Sequence, residues 1–133
     1  MMMKADDDFI ISLRQEFLQE SNDLLNAVEQ AVLYFESDSS PDHLKEINRC
    51  VHCIKGSARA VGYTDYSSLI HDLESLLSSH FEKGLHTEAI TLLLDSVDKF
   101  KELNAALINE DQSNEKKMTQ LIQKILHYKS NPS

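Results

Sequence analysis

Glycine and proline are scarce in this chain, three and two respectively in 133 residues, and tryptophan is absent. So few chain breakers suit long helices joined by short loops, and an all-α fold is expected. No apolar run approaches the roughly 20 residues that a membrane span needs, and the start, Met1 to Asp8, lacks the apolar middle of a signal peptide. The expectation is therefore a cytoplasmic chain with no membrane partner. Cysteine is limited to Cys50 and Cys53, a spacing shared with redox and zinc motifs. Both fall in mid-helix, away from the helix N-terminus that activates a redox pair, and no second pair of ligands stands at a fitting distance. They are read as small residues in or beside the core, with no metal site. Positive charge is also short, 13 basic against 22 acidic residues for a formal net charge of -9. A phosphate backbone repels such a chain beyond one small patch, which excludes nucleic acid as a partner.

What the chain does have is helical periodicity, with 41% hydrophobic residues and enough length for one domain. Residues 1–133 are expected to form a single unit. A first helix is predicted to begin after Asp8, whose charge suits the N-terminal dipole, and to run to about Glu36 on Ile10, Leu13, Phe17, Leu24, Val28, Ala31 and Phe35. Ser40 caps the second helix, Pro41 takes its first position, and Gly62 ends it. Thr64 or Asp65 caps the third, which carries Tyr66, Leu69, Ile70, Leu73, Leu76 and Leu77 until Gly84. Thr87 starts the fourth, and a shorter fifth helix at about 114–128 carries Met118, Leu121, Ile122, Ile125 and Leu126. Short loops make sequence neighbours antiparallel, so the expected architecture is an up-and-down four-helix bundle, about 9–108, with an additional C-terminal helix. The tail from Lys129 reads as a frayed end or the start of a linker.

The second helix holds the chemistry. Wound at about 100° per residue, it gathers Ile47, Cys50, Val51, Ile54, Ser57, Ala58 and Val61 on one side. Lys45, Asn48, Arg49, His52, Lys55, Gly56 and Arg59 gather on the other. One imidazole thus stands among four cations in an otherwise acidic chain. The expected partner of that face is anionic, a single phosphoryl group or a carboxylate pocket.

The run His52-Cys53-Ile54-Lys55-Gly56-Ser57-Ala58 closely resembles the signature H-x-x-K-G-[SAG]-[SA] of the histidine-containing phosphotransfer (Hpt) domain. The resemblance covers the first four helices, and its nearest subgroup is the phosphoacceptor domain of chemotaxis-type histidine kinases. His71 and Glu74 on the third helix carry that refinement, because in the subgroup a His and a Glu at these positions lie beside the phosphoacceptor. The resemblance implies a phosphocarrier rather than an enzyme, in which His52 accepts a phosphoryl group and passes it to a response-regulator aspartate. It implies as partners a histidine kinase catalytic domain, a receiver domain, or both. No cofactor is expected on this chain; magnesium is expected on the partner.

Physical chemistry assigns each residue a task. Phosphotransfer needs an imidazole with one unprotonated nitrogen aimed at solvent, and a carboxylate accepting the Nδ1 proton leaves Nε2 as the nucleophile. Glu74 is the expected acceptor, with His71 beside it. Lys55, three residues after His52, neutralises charge on the phosphoryl oxygens. Gly56, one turn after His52, lets a partner approach at a cost of about 1 kcal/mol in helix propensity. Arg59, Arg49 and Lys45 are expected at the docking surface, with a solvated basic face as the bland alternative. His43, His80, His86 and His127 have no companion ligands and are read as solvent-exposed. Two other readings compete: a helical scaffold that docks an acidic partner without chemistry, and a metal or redox enzyme built on Cys50, Cys53, His52, His71 and Glu74. A complete kinase is excluded, since no Gly-rich nucleotide loop or magnesium-binding acidic motif is present. A free-standing carrier and the excised N-terminal domain of a chemotaxis-type kinase remain equal expectations.

Overall fold

A computed structural model describes residues 2–109 and residue 120, with side chains from residue 8 onward. Four helices make up the described chain: α1 (Met2–Asp38), α2 (Pro41–Ala60), α3 (Thr64–Glu82) and α4 (His86–Ile108). Each helix packs on its neighbours in sequence, α1 and α4 close the ring, and the backbones of the diagonal pairs stay apart. Connections of two or three residues between packed helices force the chain to reverse at every turn, the up-and-down arrangement of a bundle. The additional helix expected at about 114–128 lies outside the described residues but for Gln120.

The turns explain the boundaries. Ser40 caps α2 through its hydroxyl, which accepts the Asp42 amide at 3.3 Å, and Pro41 follows at the first helical position, where a missing amide proton costs nothing. At the other end Gly62, with φ +85°, lets the Tyr63 amide donate to Ala58 O (2.9 Å) and its own to Arg59 O (3.1 Å). Gly84 repeats this Schellman closure, with φ +74° and Leu85 donating to His80 O at 2.8 Å.

Three expected helix starts need correction. α1 does not begin after Asp8 but continues back to Met2, because no glycine or proline interrupts the acidic run. α3 is capped by neither Thr64 nor Asp65: its cap is Tyr63, with no side-chain hydrogen bond. α4 begins at His86 after Leu85, one residue before Thr87.

The core runs the length of the bundle and takes the inward stripe of each helix. Ile47, Cys50, Val51, Ile54 and Ala58 of α2 are buried within it, the apolar side foreseen for that helix. Burying this side turns His52, Lys55, Gly56 and Arg59 outward, and so fixes where the site can be. α1 leans on the α2–α3 turn through Arg14, whose Nε donates to Val61 O at 2.8 Å while its guanidinium lies 4.7 Å from the Tyr63 ring centroid.

Candidate functional site

His52 stands near the middle of the exposed side of α2, its side chain 71% accessible. Its Nδ1 lies 3.5 Å from Glu74 Oε2 on α3, longer than a hydrogen bond but within range of an ion pair. The same carboxylate turns its other oxygen to Lys55, with Nζ–Oε1 at 2.7 Å. That approach is off the hydrogen-bond direction, so the enclosed Oε1 is held by charge alone. Glu74 and Lys55 are each about three-quarters covered, where the surrounding protein screens the pair less than bulk water does. Glu74 therefore bridges the imidazole and the cation, while the His52 side chain as a whole stays largely accessible.

Beside His52 the α2–α3 interface opens into a groove of about 570 Å³, lined by His52, Lys55, Gly56, Arg59, Ser67 and His71 among others. Ser67 ties the two helices together there, its hydroxyl donating to Lys55 O at 3.1 Å. A Cβ built on Gly56 meets nothing within 4 Å, so the missing side chain fills no internal need of the fold. It leaves bare backbone one turn beyond His52.

The remaining expected residues separate. His71 is exposed and lines the groove one turn before Glu74; among the described residues it makes no hydrogen bond to His52. Arg59 is exposed at the groove's edge. Arg49 is taken up by its own helix: Nη2 and Nε lie 2.6 and 3.0 Å from the two Glu46 oxygens. That pairing raises the arginine pKa and lowers that of Glu46. Lys45 is exposed on the same helix but outside the groove lining. The face expected to carry four cations thus has two of them, Arg49 and Lys55, held by carboxylates. Glu46 was overlooked although its i,i+3 spacing to Arg49 was visible; Ser67 gave no signal, because its role depends on how two helices meet.

Both cysteines are free thiols, Cys50 buried and Cys53 partly so. Burial pushes the Cys50 thiol up to about 11, and its contact with Glu46 acts in the same direction. Such a thiol resists ionisation, the opposite of what redox or zinc chemistry asks. Among the described residues no three His, Cys, Asp or Glu side chains converge to hold a metal ion, and no helix is long and apolar enough to cross a membrane. His43, expected to be solvated, is instead mostly covered, with Nε2 2.8 Å from Asp38 Oδ1.

Comparison with known proteins adds a family to this geometry. The Hpt domain model matches residues 12–110. The chain is 33% identical over 101 residues to the chemotaxis protein CheA of Salmonella typhimurium, covering 74% of this chain and 15% of that protein. It is 35% identical over 97 residues to the chemotaxis protein CheA of Klebsiella aerogenes, covering 70% and 15%. Against the gliding motility regulatory protein of Myxococcus xanthus it is 29% identical over 104 residues, covering 77% and 13%. The chain spans less than a sixth of the length of these curated relatives. No solved structure matches it.

Proposed function

Because the chain belongs to the Hpt domain family, a histidine phosphotransfer module of two-component signalling, we propose that His52 is its phosphoacceptor and that Nε2 is the reacting atom. The single observation carrying this reading is the Glu74 bridge, which faces Nδ1 of a largely accessible ring and so supports the other nitrogen as the one that reacts. Nε2 attacks the phosphorus of a donor, either a kinase-bound nucleoside triphosphate or a receiver's aspartyl phosphate. The P–O bond breaks, its electron pair leaves with the departing nucleoside diphosphate or aspartate carboxylate, and the ring becomes cationic. Glu74 stabilises that cation through the Nδ1 proton; the 3.5 Å separation shortens as charge develops.

In the second half of the cycle a receiver aspartate attacks the phosphorus, the P–N bond breaks, and its electrons return to Nε2. Lys55 supplies positive charge to the phosphoryl oxygens from one turn away, and Gly56 lets the receiver backbone approach closely enough for in-line transfer. Arg59 and His71 bound the docking groove; Arg49 and Lys45 contribute to its margin. The module is a carrier and hydrolyses no nucleotide; magnesium belongs to the kinase or receiver. We place it in the cytoplasm, as one domain of a chemotaxis-type kinase or as a free-standing carrier.

Incubation with a phosphorylated donor tests the assignment. Wild-type chain acquires acid-labile, alkali-stable label and His52→Gln acquires none, while Glu74→Ala stays folded and transfers more slowly. Label persisting in His52→Gln would move the acceptor elsewhere, and unchanged kinetics in Glu74→Ala would remove that residue from the mechanism.

A further inference from the structure

A second groove, of about 380 Å³, opens at the other end of α2, between the end of α1, the start of α2 and the start of α4. It lies where the diagonal helices α2 and α4 stay apart. Phe35, Pro41, Leu44 and Ile90 give it apolar walls, and Leu44 and Ile90 are themselves packed on the core behind. His86 stiffens one side, its ring edge-on to Phe35 and Phe81 with centroids at 5.9 and 5.5 Å. The apolar surface does not stop at the groove. Tyr34 and Leu85, each next in sequence to a lining residue, are 57% and 39% accessible. Apolar surface gathered about a cleft, with a polar rim, marks an interaction site.

The charge of the rim selects the occupant. Glu36 lines the groove, and Asp38, Asp42 and Glu88 each adjoin a lining residue; Glu82 stands at the same end of the bundle, and only Lys45 and Lys83 oppose these five carboxylates. Glu36, Asp42 and Glu88 are exposed and make no ion pair among the described residues. This rim is opposite in sign to the groove beside His52, which carries Lys55 and Arg59. It repels a phosphorylated partner, an anionic lipid surface or a nucleic acid, and attracts a cationic one. A second copy of this acidic chain is disfavoured for the same reason. We propose that the groove docks a basic segment of a partner protein, seating large apolar side chains on Phe35, Leu44 and Ile90 while flanking lysines or arginines pair with Glu36, Asp42 and Glu88. Leu44 precedes His52 by eight residues, about 12 Å of helix, so this contact is separate from the phosphoacceptor.

The test titrates the 15N-labelled full chain with a pool of Lys-Lys-X-X-Lys-Lys peptides in which X is leucine, isoleucine, methionine, phenylalanine or tryptophan. One control pool carries glutamate for lysine, and a second carries alanine at X. Saturable shifts of the Phe35, Ser39, Leu44 and Thr87 amides are expected with the basic apolar pool alone. They are expected to persist in His52→Gln and to need roughly tenfold more peptide in Glu36→Lys, Glu88→Gln, whose substitutions lie at exposed positions outside the core. Equal shifts with the alanine pool would reduce the contact to charge alone, and equal shifts with the glutamate pool would remove charge from it; either overturns the proposal. So would shifts centred on His52, shifts produced by raising the protein concentration without peptide, which would make a second copy the occupant, or no shift at all.

Discussion

Gly56 separates what the fold needs from what the site needs. Glycine costs a helix roughly 0.5–1 kcal/mol relative to alanine, and here a Cβ would meet nothing within 4 Å. Gly56→Ala is therefore expected to raise stability by about that amount, read as a higher urea midpoint, while a bulkier Gly56→Leu lowers receiver transfer without unfolding the bundle. Transfer unchanged in the leucine variant would place the docking surface elsewhere on the molecule. His52 and Lys55 differ in how much of their setting the sequence reveals. That His52 faces outward follows from the apolar residues opposite it on α2, but the Glu74 bridge depends on the register of α3 against α2. Only the family resemblance anticipated that meeting; periodicity alone leaves the 22-residue separation between His52 and Glu74 undetermined.

Among the elements, the α1–α2 corner carries a measurable pH response. Asp38 accepts the Ser40 amide at 2.9 Å, and this bond, followed by the contact with His43, holds its carboxyl below the usual range. A depressed carboxylate stabilises the folded turn above the unfolded value and loses that contribution as pH falls through the folded one. The Ser40 amide resonance should accordingly titrate with a midpoint below about 3.9, the ordinary aspartate value, and Asp38→Asn should abolish the transition. A midpoint at or above the ordinary value would contradict the contact. Ser40, Pro41, Gly62 and Gly84 were legible as punctuation because each has a single backbone task. The caps of α3 and α4 were not legible: Tyr63 and Leu85 close the preceding helix and open the next within one reversal, so chain geometry rather than a capping side chain sets the boundary. The start of α1 was misread for a different reason, since an acidic run stabilises a helix's first turn but does not oblige it to begin there.

Across the whole molecule, a buried polar network joins α1, α3 and α4, linking the diagonal pair α1 and α3 whose backbones stay apart. The Tyr66 hydroxyl, fully buried on α3, donates to Asn104 Oδ1 on α4 at 2.7 Å and lies 2.9 Å from Ser21 Oγ on α1. Asn104 in turn donates to Ser21 and Asn22. Burial drives the tyrosine pKa upward, so the hydroxyl keeps its proton and its role as a donor. Tyr66→Phe strands these partners away from water and is expected to destabilise the bundle by about 1–3 kcal/mol in chemical denaturation; an unchanged midpoint would mean the network does not hold the helices together. The network secures the packing that brings α3, and with it Glu74, against the helix of His52. Phosphorylating the uniformly 15N-labelled chain and assigning the modified ring by NMR tests that arrangement most directly. The account predicts phosphorus on Nε2 of His52, with the Nδ1 proton retained on the Glu74 side, whereas phosphorus on Nδ1, or on any of the other five histidines, would contradict it.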